Sequence, residues 1–159
     1  MTVAAVVLAA GASTRYGRPK QYELLPAVLE QLSGVDEVVV VEGAHPLTVD
    51  ARVVHAAEWE RGPGASLRAG LAGLSDEVTH ALIVLGDGPA LDPRAVQRLI
   101  EHRDDAAVLA ASYDGTRDHP VLLARDVWDA VPDEGGRALE PLLVDCSDLE
   151  RPGDVDYSD

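Results

Sequence analysis

The chain has 159 residues, near the size of one domain, and folding a chain that long buries roughly 68–70% of its unfolded surface. Its 47% hydrophobic and 26% charged content is globular, which excludes a disordered chain and a coiled coil. With 13 basic against 28 acidic residues the formal net charge is -15, a surface that repels polyanions and argues against a nucleic-acid or anionic-membrane binder.

Short, continuous apolar runs mark the expected strands at 3–10, 37–41, 51–54, 81–85, 107–111 and 121–124. Continuous rather than alternating hydrophobicity suits strands covered on both faces, as in a parallel sheet. The run 3–10 has no basic leader and is too short to span a membrane, so a soluble cytoplasmic protein is expected. Helical spacing fills the gaps. Leu25, Val28, Leu29 and Leu32 share one face over 22–32; Leu67, Leu71 and Leu74 share one over 65–74; Val96, Leu99 and Ile100 share one over 93–103. Asp92 before Pro93 reads as an N-cap followed by a first-turn proline. Strand and helix alternate, which predicts one domain over 1–159, a doubly wound α/β fold with a mostly parallel twisted sheet, helices on both faces and right-handed crossovers. The single cysteine, Cys146, excludes an intramolecular disulfide and a cysteine-cluster metal site, and reads as a small apolar residue.

Chemistry concentrates in the loop after the first strand, Leu8-Ala9-Ala10-Gly11-Ala12-Ser13-Thr14-Arg15-Tyr16-Gly17-Arg18-Pro19-Lys20. Small residues let backbone N–H groups approach an anion, and Arg15, Arg18 and Lys20 add three positive charges within six positions. Of 13 basic residues only Lys20 is a lysine, which marks a place where a compact ammonium is wanted rather than a planar guanidinium. The loop reads as a phosphate cradle; an ordinary βα turn with solvated arginines is the alternative. Neither the P-loop pattern nor the dinucleotide fingerprint fits, because Gly17 leads into Arg18-Pro19-Lys20 and the glycines are six apart.

The second feature is Asp87, in Gly86-Asp87-Gly88-Pro89 after the run 81–85. A carboxylate at the end of a buried parallel strand points into the crevice where open α/β sheets bind ligands. A phosphate cradle and a carboxylate facing one cleft suit a hard, oxygen-ligated cation, for which magnesium is expected, held by Asp87. A turn aspartate without function is the competing reading.

The run Leu8 to Lys20 resembles the signature of the MobA-like nucleotidyltransferases of molybdenum-cofactor biosynthesis, L-A-A/G-G-x-S-x-R-M-G-x-x-K, with Tyr16 where Met is usual. Ala10 and the continuation Arg18-Pro19-Lys20-Gln21 are more similar to its cytidylyltransferase branch. Gly86-Asp87-Gly88-Pro89 with Leu91-Asp92-Pro93 resembles its metal-binding segment. The resemblance implies a Rossmann-like nucleotidyltransferase fold and transfer of a nucleoside monophosphate from CTP, or GTP, to a phosphorylated small molecule, molybdopterin first, by a monomer or homodimer. It assigns Arg15, Lys20 and Asp87 to catalysis and Leu8, Ala9, Ala10, Gly11 and Ser13 to the nucleotide. Trp59 to Leu71 is similar to W-x-x-G-x-x-x-S-L-x-x-G-L, which adds Gly62, Gly64 and Ser66 to the nucleotide side; N-capping explains Ser66 equally well. The tail Asp154-Val155-Asp156-Tyr157 resembles a D-I-D-T segment and nominates Asp156, with Asp154 close behind, as a second metal ligand. Asp118-His119-Pro120-Val121 and Gly135-Gly136-Arg137 resemble segments that put His119 and Arg137 on the acceptor side. Against the family pattern, the stretch after Lys20 is compressed. That leaves open another acceptor, such as a phospholactate or a sugar phosphate, or a nucleotide-binding relative without turnover.

Overall fold

The computed structural model describes residues 2–9, 21–32, 34–43, 51–88 and 90–152, without the side chains of 21–23 and 137. Its strands are β1 (Val3–Ala9), β2 (Glu37–Glu42), β3 (Arg52–His55), β4 (His80–Leu85), β5 (Val108–Tyr113), β6 (Thr116–Ala124) and β7 (Leu142–Asp145). Three α-helices, α1 (Gln21–Glu30), α2 (Pro63–Ala72) and α3 (Pro93–Glu101), alternate with them, and short 3-10 helices occur at Trp59–Arg61, Arg125–Ala130 and Gly136–Ala138. All seven strands join one sheet in the order β3-β2-β1-β4-β6-β5-β7.

The sheet is parallel except at β6, which runs antiparallel to both β4 and β5. The reversal has a local cause. Asp114, at φ 54°, and Gly115, at φ 83°, make a two-residue connection between β5 and β6, and Asp-Gly is a sequence suited to such positive-φ hairpin turns. β6 therefore begins at Thr116, five residues before the apolar run that signals it, and β7 has no counterpart among the expected strands.

Both faces of the sheet are covered, as continuous hydrophobicity requires. Val3, Ala5, Val7 and Ala9 of β1 pack with Leu25, Val28 and Leu32 and with Ala95, Val96 and Leu99 of α3. The alternate residues Ala4 and Val6 pack with Leu67, Leu71 and Leu74 and with Trp128. The Asp92 side chain accepts from the Arg94 N–H at 2.9 Å, the expected N-cap of α3. Cys146 is fully buried in the first cluster, and burial pushes its thiol up, away from the reactive thiolate. Among the described residues no helix is long and apolar enough to cross a membrane.

Candidate active site

β1 and β4 are parallel neighbours, Leu8 beside Leu85, so their carboxyl ends share one edge of the sheet. Beyond Leu85 the chain turns at Gly86, whose N–H donates to the Leu8 carbonyl at 2.9 Å. A Cβ at position 86 would lie 3.1 Å from the Ala9 Cβ and 3.2 Å from the Leu8 oxygen. Glycine lets the 86–88 turn close onto the end of β1. Asp87, half-buried, is thereby fixed beside the point where the first loop leaves its strand. Residues 10–20, with Ala10, Gly11, Ser13, Arg15 and Lys20, lie outside the described residues; Leu8 and Ala9 are at the end of β1.

The same edge receives the last described residues, Arg151 and Pro152. Arg151 donates to the Tyr113 carbonyl at 2.9 Å and sits over the Tyr113 ring at 5.6 Å, while the Ala90 N–H donates to the Pro152 carbonyl at 3.2 Å. The last described residue is thus bonded to the loop that carries Asp87. Asp154 and Asp156 lie outside the described residues. As a donor set, Asp87 fits a cation shared with substrate. Magnesium in phosphate chemistry is held by one or two carboxylates plus the substrate's phosphates, and among the described residues no group of three or more His, Cys, Asp or Glu side chains gathers into a cage.

On the α2 face of this edge lies a cavity of about 330 Å³. Leu8, Leu67, Ile83 and Leu85 give it an apolar wall, and Arg117, Asp118, His119 and Glu134 line it with polar groups. His119 is thus among the residues that line this cavity. The His119 side chain, with Nδ1 at 3.7 Å, holds the Asp118 carboxyl below the ordinary carboxylate range against the opposing effect of burial. That separation is long for a hydrogen bond, whereas the His119 N–H donates to Asp118 Oδ1 at 2.7 Å. The Tyr113 hydroxyl donates to the His119 carbonyl at 3.2 Å, which pins this stretch of β6 from the other side.

Gly62, Gly64 and Ser66 start α2, with Gly62 rather than Ser66 as the N-cap. Their immediate neighbours are protein. The Gly64 N–H donates to the Asp133 carbonyl at 2.9 Å, and Cβ atoms at 62 and 64 would lie 2.4 Å from the Asp133 oxygen and 1.6 Å from the Pro132 oxygen. Arg68 grips the same segment, donating to Val131 O at 2.8 Å and to Asp133 Oδ1 at 2.6 Å, with Arg61 at 3.3 Å from Oδ2. Those arginines hold the Asp133 carboxyl below its ordinary range, Arg68 above all. The two glycines thus dock a wall, 131–136, whose end reaches the cavity at Glu134, Gly135 and Gly136. Arg137 follows in the short helix Gly136–Ala138; only its backbone is described.

Arg117 and Glu134 are polar lining residues that the sequence reading did not single out, and for Arg117 a signal existed. The signal was present in Asp114-Gly115. A hairpin turn there extends β6 back through polar residues, and Arg117, Asp118 and His119 reach the cavity where the register of β6 on β5 shifts between Asp118 and Val121.

Such a sheet, with a ligand crevice at the carboxyl ends of adjacent parallel strands and a carboxylate at its lip, defines an α/β nucleotide-binding domain. The MobA-like NTP transferase domain matches residues 5–143, and the chain belongs to that family of nucleotidyltransferases. It is 33% identical over 190 residues to the nicotine blue oxidoreductase of Paenarthrobacter nicotinovorans, covering 97% of this chain and 92% of that protein. The aligned length exceeds the 159 residues of this chain, so this chain lacks segments that the relative has. The crystal structure of Rv0371c from Mycobacterium tuberculosis H37Rv superposes with a TM-score of 0.81 at 29% identity, covering 99% of this chain and 93% of that one. A manganese complex of the same protein gives 0.72 at 26% identity, over 91% and 89% of the two chains.

Proposed function

We propose that this single-domain chain transfers a cytidylyl group from CTP to the phosphate of molybdopterin, with magnesium as the cation and release of pyrophosphate, as a monomer or homodimer in the cytoplasm. The observation that carries this reading is the closure of Gly86 onto Leu8 and Ala9, since it sets Asp87 beside the end of β1, which the basic segment 10–20 follows in sequence. The manganese complex of Rv0371c supports a divalent cation in this fold.

In the reaction an acceptor phosphate oxygen attacks the α-phosphorus in line. The new P–O bond forms as the bond from the α-phosphorus to the bridging oxygen breaks, and pyrophosphate leaves with that electron pair. The attacking phosphate is ionised near neutral pH, so no base has to remove a proton, and alignment and charge stabilisation do the catalysis. Arg15 and Lys20 neutralise the β- and γ-phosphates and the departing pyrophosphate, and the backbone from Leu8 through Gly11 and Ser13 lies along the nucleotide. Asp87 holds the cation, joined by Asp156, whose tail begins at the bond between Ala90 and Pro152. Magnesium would supply charge neutralisation at the α-phosphate. Gly62, Gly64 and Ser66 shape the start of α2 on the nucleotide side, and His119 and Arg137 meet the acceptor.

The name of the 33% identical relative favours one second reading, a redox role on the same scaffold. Thermal shifts with CTP, GTP and ATP, with and without magnesium, rank the bases, and pyrophosphate release with molybdopterin, a phospholactate or a sugar phosphate identifies the acceptor. Asp87→Ala and Lys20→Ala are each expected to lower turnover on the order of 10²-fold or more. Near-wild-type turnover in either variant removes that residue from the mechanism, and nucleotide binding without pyrophosphate release from any acceptor favours a binding or redox role.

A further inference from the structure

After β7 the chain forms a strap, residues 146–152, that crosses the end of β5 and finishes against the loop carrying Asp87. The first half of the strap is held at every residue. The Cys146 N–H donates to the Ser112 carbonyl at 2.7 Å, and Ser147 Oγ accepts from the Asp114 N–H at 2.8 Å. Asp148 takes both prongs of Arg98, and Leu149 is buried in the same core cluster as Cys146. Beyond Leu149, among the described residues, one side chain ties the strap down by hydrogen bonding. Arg151 Nη2 donates to the Tyr113 carbonyl at 2.9 Å, and its guanidinium lies over the Tyr113 ring at 5.6 Å. Tyr113 is a firm base for it, 2% exposed and donating its hydroxyl to the His119 carbonyl. Pro152 follows. It brings no N–H with which to fasten itself, and its carbonyl is the group that receives the Ala90 N–H at 3.2 Å.

That bond matters for Asp87 because of where the loop is otherwise attached. On one side the Gly86 N–H donates to the Leu8 carbonyl at 2.9 Å, and on the other the Ala90 N–H donates to Pro152. The bonds from Gly88 to Leu85 and from Leu91 to Gly88 lie within the loop and its own flanks. Asp87 thus stands between one tie to β1 and one tie to the strap. A ligand carboxylate keeps its place only if the backbone that carries it is supported from both sides.

We propose that Arg151 is a positioning residue for the cation site: by pinning the strap on Tyr113 it sets the Pro152 carbonyl where Ala90 can donate to it, and so fixes the far end of the loop from which Asp87 holds the metal. The role rests on the reading of Asp87 as the cation ligand of a transferase and adds to it the residue that steadies that ligand's loop.

The test combines amide exchange by NMR with manganese binding by electron paramagnetic resonance, on the full chain as wild type, Arg151→Met, Arg151→Lys and Asp148→Asn. Without metal or nucleotide, the Gly86 and Ala90 amides report the two ties separately. A hydrogen bond from a charged group is worth about tenfold or more in an equilibrium. Arg151→Met should therefore speed Ala90 exchange by about tenfold and leave Gly86 within about twofold, with Arg151→Lys between. Partners that orient a metal ligand from outside are worth about 10–100-fold in affinity. Acting through backbone, Arg151 is worth less: Arg151→Met should weaken manganese binding in the presence of CTP by about threefold or more, and Arg151→Lys by a smaller factor. Asp148→Asn gives up an anchor in the first half of the strap and measures plain destabilisation; it should lower Tm and leave both readouts within about twofold. Gly86 and Ala90 speeding up together in Arg151→Met, unchanged manganese affinity in that variant, or an equal loss in Asp148→Asn overturns the assignment. Should Arg151→Met melt below the assay temperature, Arg151→Lys carries the contrast with Asp148→Asn. If wild type binds no manganese with CTP while Ala90 still responds to Arg151→Met, the cation reading of Asp87 fails and the positioning role falls with it. Manganese that binds wild type and ignores Arg151 sinks this assignment alone.

Discussion

An alanine at position 64 should loosen the cavity wall. Its Cβ would lie 1.6 Å from the Pro132 carbonyl oxygen and 2.9 Å from the Asp133 carbonyl carbon. Ordinary contact begins near ~3.4 Å, so the wall has to retreat by about 1.8 Å. That retreat breaks the bond from the Gly64 N–H to Asp133 O, now 2.9 Å, while the Arg68 bonds to Val131 and Asp133 pull the other way. Overpacking costs about 1–3 kcal/mol and the lost hydrogen bond about 1 kcal/mol, offset by up to ~1 kcal/mol from alanine's helix propensity. The net is about 1–3 kcal/mol, or roughly 2–12 °C in Tm at ~2–4 °C per kcal/mol for a domain of this size. The comparison is Gly136→Ala on the same wall, where the new Cβ would meet only Leu67 at 3.8 Å and the expected change is within about 2 °C. Calorimetric melting of both variants decides. Equal melting temperatures would refute the packing of 131–136 against the start of α2, and with it the docking role of Gly62 and Gly64.

Two further outcomes follow from the packing and the charges. Arg98 forms a two-pronged pair with Asp148, 2.6 and 2.7 Å, and brings that carboxyl from 3.8 to about 2. A carboxyl held below its unfolded value stabilises the fold above that value and loses its contribution as pH falls through the folded one. The melting gap between wild type and Asp148→Asn should thus be constant above about pH 5 and narrow progressively between about pH 5 and pH 1; a gap at pH 2 as wide as the gap at pH 6 contradicts the pairing. Leu99, fully buried between α3 and the sheet, should cost about 2–5 kcal/mol on truncation to alanine, whereas Leu142, 44% exposed on β7, should cost less than about 0.5 kcal/mol by urea unfolding.

What the sequence made legible follows from how far apart the interacting residues are. Both core faces could be read locally, because consecutive residues such as Ala4 and Ala5, or Val6 and Val7, serve opposite faces and both must be apolar. Asp87 stands out in sequence by its tight Gly-Asp-Gly turn after an apolar run, and that turn closes on the end of β1; the first loop stands out by the one lysine and lies outside the described residues. β7 escaped because it is a short edge strand whose Leu142 and Leu143 are largely exposed, so burial imposed no pattern on it. The first half of β6 escaped because Thr116, Arg117 and Asp118 interrupt the hydrophobic run. The 131–136 wall left no local trace at all: Asp133 is held by Arg61 and Arg68, 72 and 65 residues away, and two glycines that resemble a nucleotide motif are packed on that wall.

Crystals soaked with CTP and manganese give the shortest route to the main claim, read from the anomalous difference map. The expected result is a manganese peak at about 2.1 Å from an Asp87 carboxylate oxygen, a typical distance for a small hard cation, with the CTP phosphates beside the end of β1. CTP bound with its cation away from Asp87, or seated at another edge of the sheet, would contradict the account.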